Sequence, residues 1–224
     1  ASAARPWFSS KRTALYCTSR DCGAISADTA SRPARYFSTA PEFCANLQSA
    51  HALQMAKARG AMVIGTSRTI EKLEKCKELG MDAGVAVDDP SDFAAAVLEA
   101  SGGHGADVVL DLVGAAYFQQ NMACLAKKGR LLLVGLTSGA KADFNLALAL
   151  QKRARIIGTV LRGRSIEEKA QATRAFVDEI LPLMARGKIR PNLDRVFEAK
   201  DAAEGYRYVA SNLNLGKVVL EFNS

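Results

Sequence analysis

From about residue 50 onward, short apolar runs alternate with longer segments in which apolar positions recur every three or four residues. The runs predict buried strands, and the longer segments predict amphipathic helices. Predicted strands cover residues 61–66, 84–87, 107–113, 131–136, 155–161, 194–198 and 217–222. Predicted helices cover residues 50–59, 70–79, 117–125, 145–151 and 165–185, and two more begin at Asp89 and Asp201. Because runs that are apolar on both faces belong in parallel sheets covered by helices, the pattern predicts an α/β fold with a doubly wound parallel sheet.

Two polar pairs mark the starts of predicted helices. Ser165 followed by Glu168 predicts a capping box, in which each side chain bonds to the backbone NH of the other residue. Asp201 followed by Glu204 has the same spacing and predicts the capped start of the last helix.

Residues 1–48 have no sustained helical or strand period, and they hold six basic and three acidic side chains. We therefore divide the chain into a basic amino-terminal extension, residues 1–48, and a domain, residues 49–224. The run at residues 32–38 resembles the end of a mitochondrial targeting segment, in which arginines precede a small hydroxyl residue at the cut. It predicts a mitochondrial protein. The alternatives are an extension that is flexible or bound to a partner, and a cytoplasmic location.

Composition excludes several classes of protein. The net charge is +7, but both signs alternate along the domain, as on a solvated helix face, so we expect no nucleic-acid partner. No run approaches the roughly 20 apolar residues of a membrane span, so no transmembrane segment is expected. The five cysteines form no CxxC pair and the two histidines have no ligand-like spacing, so we expect neither a metal site nor a disulfide framework.

Four stretches carry a resemblance to one family: AKARGAMVIGTSR at residues 56–68, GADVVLDLVG at 105–114, KKGRLLLVGL at 127–136 and LGKVVLEF at 215–222. They resemble the zinc-free quinone oxidoreductase branch of the medium-chain dehydrogenases. Residues 150–164 and 176–184 are similar to the NADPH-dependent members of that branch. The resemblance covers residues 49–222 and corresponds to the carboxyl-terminal, Rossmann-like nucleotide-binding part of these proteins.

The resemblance implies a chemistry as well as a fold. Members of this family reduce quinones or activated alkenes by hydride transfer from NADPH, with the reacting ring held between the nucleotide domain and an amino-terminal catalytic domain. Residues 1–48 are too few to supply such a domain. The sequence shows no Ser-His-Asp set, no paired carboxylates in a recognisable frame and no metal cluster. No catalytic residue is therefore assigned, and whether the chain is an enzyme stays open.

Ser67 and Arg68 follow the predicted strand at residues 61–66, where an NAD enzyme usually carries an acidic residue for the adenosine ribose. A hydroxyl and a guanidinium suit a 2′-phosphate instead, so the cofactor that we expect, if any binds, is NADP(H). The resemblance adds Lys72 to this group. The alternative is that Arg68 is a surface residue in a polar turn.

Gly114 and Gly135 lie just past the carboxyl ends of two predicted strands, where a flat nicotinamide ring needs close approach to the backbone. The resemblance implies that these strand ends, with Leu136, hold the nicotinamide and its ribose. It also implies that Asn214 and Lys217 are late cofactor contacts. Alternatively, both glycines are ordinary strand exits, Asn214 is a turn residue and Lys217 is a surface charge.

The glycine-rich phosphate loop of such domains has no match here. Aligned backward from Ala56, its glycine positions fall on residues 44–49, and no glycine remains there. Side chains at Leu47 and Gln48 would fill the space that backbone and pyrophosphate share, so we expect weak or lost dinucleotide binding.

The strand before this loop is also in doubt, because Pro41 stands in its place and cannot donate to a central ladder. The fold is therefore expected to be incomplete at its first strand and glycine loop. The alternative is that residues 36–39 substitute for the missing strand.

The leading hypothesis is a degenerate quinone-oxidoreductase-like protein that acts as a structural or accessory subunit of a larger mitochondrial assembly, with weak or no NADP(H) binding. Other protein subunits are then the expected partners, and the resemblance implies a possible homodimer through residues 155–161. The alternative is an NADPH-dependent quinone or enone oxidoreductase represented by a truncated sequence. A third hypothesis is a nucleotide-sensing module without chemistry.

Overall fold

The computed structural model describes residues 35–39, 45–87, 93–211 and 213–222, with side chains described from residue 50 onward. The strands are β1 (Arg35–Thr39), β2 (Met62–Ser67), β3 (Ala83–Ala86), β4 (Ala106–Asp111), β5 (Leu125–Leu133), β6 (Arg155–Gly158), β7 (Leu193–Glu198) and β8 (Lys217–Glu221). The helices are α1 (Ala45–Ala58), α2 (Ile70–Glu78), α3 (Ala94–Ala100), α4 (Ala115–Cys124), α5 (Leu146–Lys152), α6 (Ile166–Glu179), α7 (Leu181–Ala185) and α8 (Ala202–Ala210). The alternation of strands and helices that the hydrophobic pattern predicts is confirmed.

Six strands form one parallel sheet in the order β3-β2-β1-β4-β5-β6. Its centre is β1, in which Phe37 is in register with Ile64 of β2 on one side and with Val109 of β4 on the other. The doubly wound parallel sheet is therefore confirmed. The expectation that the sheet is incomplete at its first strand is wrong, because Arg35–Thr39, upstream of Pro41, supplies that strand.

The fold begins earlier along the chain than the sequence indicated. The boundary expected between residues 48 and 49 falls inside α1, and Leu47 and Gln48 belong to this helix and not to the loop before it. The connection from β1 to α1 is residues 40–44, Ala-Pro-Glu-Phe-Cys, which contains no glycine and lies outside the described residues. The helix start predicted at Asp89 also lies outside them.

Helix ends match the sequence in one place and differ in two. Ser165 Oγ accepts from Glu168 N at 3.2 Å and Glu168 Oε2 accepts from Ser165 N at 3.0 Å, so the capping box is confirmed. The predicted helix at 165–185 is divided at Ile180 into α6 and α7, because Pro182 has no NH to donate to the carbonyl four residues earlier. Asp201 precedes α8 but makes no side-chain cap bond, since a 3-10 turn leads into the helix, so that expectation is wrong.

Each face of the large sheet carries an apolar core. On one face, α1 and α2 pack over buried side chains that include Ala56 and Val108. On the other face, α3 and α4 pack over a cluster that includes Val97 and Val109. Helices on both faces are what a parallel sheet needs to bury its two surfaces. The chain therefore leaves β1 toward one face and β4 toward the other.

One fully buried side chain on α4 is polar. Asn121 is 0% exposed, and neither its amide nitrogen nor its amide oxygen has a hydrogen-bond partner among the residues that the structure describes. Because an unpaired buried amide costs free energy, we expect Asn121→Leu to raise the free energy of unfolding by about 1–2 kcal/mol in urea denaturation. The matched change Asn145→Leu should lower it, since Asn145 Oδ1 caps α5 by accepting from Ala147 N at 3.0 Å. Destabilisation by Asn121→Leu would mean that this amide has a partner.

The carboxyl-terminal part forms a second, smaller sheet. β7 and β8 pair in parallel, with Val196 in register with Val219 and Phe197 in register with Leu220. Gly205 of α8 packs against Phe197 and Leu220, so this helix covers one face of the pair. The opposite face, with Val196 and Val219, is exposed.

Gln54 of α1 joins the carboxyl-terminal part to the large sheet. Its Nε2 donates to Arg190 O at 3.1 Å, and its Oε1 accepts from Arg190 N at 2.8 Å. We expect Gln54→Ala to lower the free energy of unfolding by about 1–3 kcal/mol in thermal denaturation, because both backbone groups of Arg190 lose their partner. The control is Gln171→Ala on the exposed surface of α6, for which we expect a change below about 0.5 kcal/mol. Equal losses in the two variants would show that the Gln54 bonds contribute nothing.

Candidate dinucleotide site

The carboxyl ends of β1, β2, β4 and β5 lie at one edge of the six-stranded sheet. Because α1 and α4 lie on opposite faces, the crossovers diverge between β1 and β4. Open parallel sheets bind their ligands in the crevice at such a point, outside the carboxyl ends of the strands. The candidate site is therefore formed by the residues that follow these four strands.

The start of α1 faces this edge directly after the central strand. Its first turn contains no acidic side chain, and the free NH groups of a helix start attract anions. A dinucleotide loop adds glycines so that the diphosphate can approach those NH groups closely. Residues 40–44 contain no glycine, and Glu42 adds a negative charge to that stretch. This chain thus has the helix of a phosphate site without the glycines.

Ser67 and Arg68 stand at the exit of β2. Ser67 Oγ accepts from Thr69 N at 3.0 Å, a bond that shapes the turn into α2. Arg68 is exposed. Burial raises the pKa of the Tyr117 hydroxyl on α4, and the charge of Arg68 opposes this rise. The Arg68 guanidinium is therefore close enough to α4 to influence a side chain beyond the central strand.

Lys72 lies in the first turn of α2 and is buried. Burial lowers the pKa of its ammonium group, the charge of Lys75 lowers it further, and Asp194 acts in the opposite direction. The Asp194 carboxylate also accepts from Leu215 N at 3.0 Å and from the Tyr208 hydroxyl at 2.7 Å. Part of the Lys72 charge is therefore balanced by a carboxylate of the protein itself.

Asn214 and Lys217 flank the turn that leads into β8. Asn214 Nδ2 donates to Gly216 O at 3.1 Å, and the exposed Lys217 donates through its backbone N to Asn192 O at 2.7 Å. Asn214 precedes Leu215, whose NH binds Asp194. The structure thus places the residue after Asn214 at the same carboxylate that acts on Lys72, which the sequence did not predict.

Gly114 and Gly135 allow two strand exits to pack against each other. A Cβ on Gly114 would lie 2.8 Å from Gly139 O, and its φ of +88° favours glycine. A Cβ on Gly135 would lie 2.5 Å from Leu112 O. Leu136, the next residue, is 52% exposed at this edge. The packing requires both glycines whether or not a ring binds beside them.

Asp111 is a site residue that the sequence analysis missed. It ends β4, it is 0% exposed, and its Oδ1 accepts from Val113 N at 2.8 Å and from Gly114 N at 3.0 Å. A carboxylate that directly follows an apolar strand is the signal that could have identified it. Asp111 holds the exit of β4 in the conformation that Gly114 adopts.

The first NH groups of α4 bind groups of the protein. Ala115 N donates to Gly139 O at 3.1 Å, and Ala116 N donates to Ser138 Oγ at 2.9 Å. These donors are therefore satisfied without an anion, unlike the donors of a phosphate-binding helix start.

Within the described ranges, no three His, Cys, Asp or Glu side chains are grouped so that they could hold a metal ion. Across the same ranges, no helix combines the length and the apolar character needed to cross a membrane.

Comparison with known proteins agrees with this geometry. A protein-family model described as zinc-binding dehydrogenase matches residues 50–178. A quinone oxidoreductase of Pseudomonas aeruginosa is 31% identical over 75% of this chain and 51% of its own length. A zinc-type alcohol dehydrogenase-like protein of Schizosaccharomyces pombe is 31% identical over 78% of this chain and 49% of its own length. The structure of Escherichia coli quinone oxidoreductase complexed with NADPH is 26% identical, with a TM-score of 0.68 over 84% of this chain and 56% of that one.

The chain spans about half the length of the curated relatives that it matches. Three of the stretches that carry the resemblance lie within the residues that the family model covers. The sheet order, with the central strand followed by α1, is that of a Rossmann-like nucleotide-binding domain. This chain therefore belongs to the zinc-binding dehydrogenase family, in the quinone oxidoreductase branch of the medium-chain dehydrogenases, and corresponds to the carboxyl-terminal nucleotide-binding part of its members.

Proposed function

We propose that this chain is a degenerate quinone-oxidoreductase-like protein that acts as a structural or accessory subunit of a larger mitochondrial assembly, with weak or no NADP(H) binding. One observation carries the proposal: no glycine stands between the end of β1 and residue 49 of α1. Dinucleotide loops use glycines because a residue without a side chain lets the diphosphate come close to backbone NH groups.

The remaining site residues favour NADP(H) over NAD(H) as the dinucleotide that binds weakly. Ser67 and Arg68 offer a hydroxyl and a guanidinium at the exit of β2, where an acid would select NAD(H). Lys72, the second cation that the family likeness implies, is buried near Asp194, which balances part of its charge. This carboxylate is a second reason to expect weak binding of a 2′-phosphate.

Association with other chains is supported by the surface around β6, the edge strand of the large sheet. This surface exposes large apolar side chains, namely Leu146, Leu150, Ile156, Val160, Leu161 and Ile166. An open edge strand beside exposed apolar side chains pairs readily with another chain. We propose that β6 and the residues after it contact a second subunit, which in the simplest case is another copy of this chain.

A mitochondrial location restricts where the chain can be processed. A cut between Phe37 and Ser38, as the run at residues 32–38 suggests, would leave only two residues of β1. Because β1 is the central strand, that cut is incompatible with the sheet. The proposed import therefore has to spare Arg35–Thr39.

Native electrophoresis of the tagged chain from its own cells tests the accessory role. We expect it to migrate in the mitochondrial fraction as part of an assembly far larger than its own 23.9 kDa, together with other subunits. A stable, monodisperse monomer would contradict the proposal, because the exposed surface around β6 would then have no partner.

The alternative is an NADPH-dependent quinone or enone oxidoreductase of which this sequence is one part. It is supported by the complete central strand and by the half-length match to relatives. NADPH oxidation in the presence of quinones separates the two candidates. The accessory role predicts no turnover by this chain, whereas a longer natural chain with glycines ahead of α1 and measurable turnover would establish the reductase.

A further inference from the structure

Two arginines lie side by side toward the amino-terminal ends of the strands, at the end of the large sheet opposite the candidate dinucleotide site. Arg130 of β5 is in register with Arg155, the first residue of β6. Neighbouring strands are about 4.8 Å apart, and residues in register point to the same face. The two guanidinium groups therefore extend next to each other, at the amino-terminal end of β6 and far from Gly114 and Gly135 along the strand direction.

This pair is unfavourable in the chain alone. Like charges placed directly across neighbouring strands repel each other. Neither guanidinium makes an ion pair or a side-chain hydrogen bond within the described part of the chain. Burial lowers the pKa of Arg130, and the charge of Arg155 lowers it further. The acid that opposes this effect, Asp107, is itself 2.9 Å from His104 Nε2.

Two residues with a positive φ precede the arginines. Lys128 has a φ of +63° and Arg153 has a φ of +50°, and they are the non-glycine residues with positive φ in the described ranges. Each lies two residues before one arginine of the pair. Arg153 ends α5 in the left-handed conformation that is common at helix C-termini, so Lys128 is the unusual residue of the two. Both positions are exposed and basic, so they add positive charge around the arginine pair.

We propose that Arg130 and Arg155 form a binding site for the phosphoryl group of a small molecule, separate from the dinucleotide site. Two adjacent planar guanidiniums offer several NH donors to tetrahedral phosphate oxygens, and their joint charge matches a phosphate dianion. The bound anion replaces a repulsive contact with two charge-assisted pairs. Lys128 and Arg153 steer the anion to the pair through their exposed charges.

Thermal unfolding of the full chain with inorganic phosphate as the probe tests the site. The reference is sodium chloride at the same ionic strength, which removes general screening. We expect 10 mM phosphate to raise the melting temperature by about 2–4 °C above the reference. Arg130→Gln and Arg155→Gln should each abolish this rise. The matched variant Arg174→Gln on the exposed surface of α6 removes the same charge and should keep it.

A second measurement distinguishes a binding role from a structural one. Without phosphate, Arg155→Gln should melt at the same temperature as the unchanged chain or slightly higher, because the repulsion is relieved. A lower melting temperature without phosphate would show that Arg155 is structural and would overturn the proposal. A phosphate effect that is absent, or that survives in the Arg130→Gln and Arg155→Gln variants, would overturn it too.

Discussion

A chain that begins at Ser38 is expected to lose the fold, because it lacks most of the strand at the centre of the large sheet. Without β1, the sheet divides into β3-β2 and β4-β5-β6. Ile64 and Val109, both 0% exposed, lose the residue that is in register with them. Two rows of backbone NH and C=O groups lose their partners as well. Circular dichroism should therefore show no cooperative thermal transition for this shortened chain.

The matched control is a chain that begins at Arg32, which also lacks most of the basic extension but keeps all of β1. It should melt at the temperature of the full chain. Phe37→Pro in the chain of residues 1–224 provides a second variant, which removes a ladder donor from the central strand and should lower the free energy of unfolding by about 1–3 kcal/mol. Unchanged melting of the Ser38 chain and of Phe37→Pro would show that Arg35–Thr39 is not the central strand.

Gly135→Ala is expected to lower the free energy of unfolding by about 2–3 kcal/mol in the absence of any nucleotide, as overpacking of a close backbone contact does. The new Cβ would lie 2.5 Å from Leu112 O, and backbone atoms cannot move aside as the end of a flexible side chain can. The residues that follow β4 would have to shift. This shift would disturb the hydrogen bonds that Asp111 Oδ1 accepts from Val113 N and Gly114 N. Urea denaturation measures the loss.

Gly163→Ala is the control for this prediction, because a Cβ there would have no described atom within 4 Å and the glycine has no positive φ. Its free energy of unfolding should change by less than about 0.5 kcal/mol. If Gly135 serves only a nicotinamide ring, the Ala variant keeps its stability and loses affinity for NADPH alone. That result would refute the structural role that the Leu112 contact assigns to this glycine.

The sequence predicted the larger elements of the fold because each has a strong local pattern. The predicted strand at residues 107–113 nearly coincides with β4, and the predicted charged helix at residues 70–79 nearly coincides with α2. The central strand was doubtful because the family likeness set the expected position of the loop, and Pro41 lies in the strand position that this alignment implies. In the structure the central strand is Arg35–Thr39, which lies upstream of Pro41. This strand has only five residues, too few to show a hydrophobic period of its own.

The candidate site was less predictable because it depends on contacts between distant segments. Asp194 accepts from Tyr208 and Leu215 and lies near Lys72, so its role requires α2, β7 and α8 to come together. The glycine pair was easier to identify, but the sequence could not distinguish a ring-binding role from the packing of two strand exits. That distinction depends on the 2.5 Å approach of a Cβ on Gly135 to Leu112 O.

We propose that the chain has lost the main-chain cradle for a diphosphate, and isothermal titration of NADPH into the chain of residues 1–224 tests this loss. E. coli quinone oxidoreductase, whose structure contains NADPH, is the positive control. We predict a dissociation constant weaker than about 1 mM, or no measurable heat, under conditions in which the control binds. A dissociation constant of about 1–10 μM would contradict the proposed loss, because binding of that strength requires the diphosphate to be held despite the missing glycines.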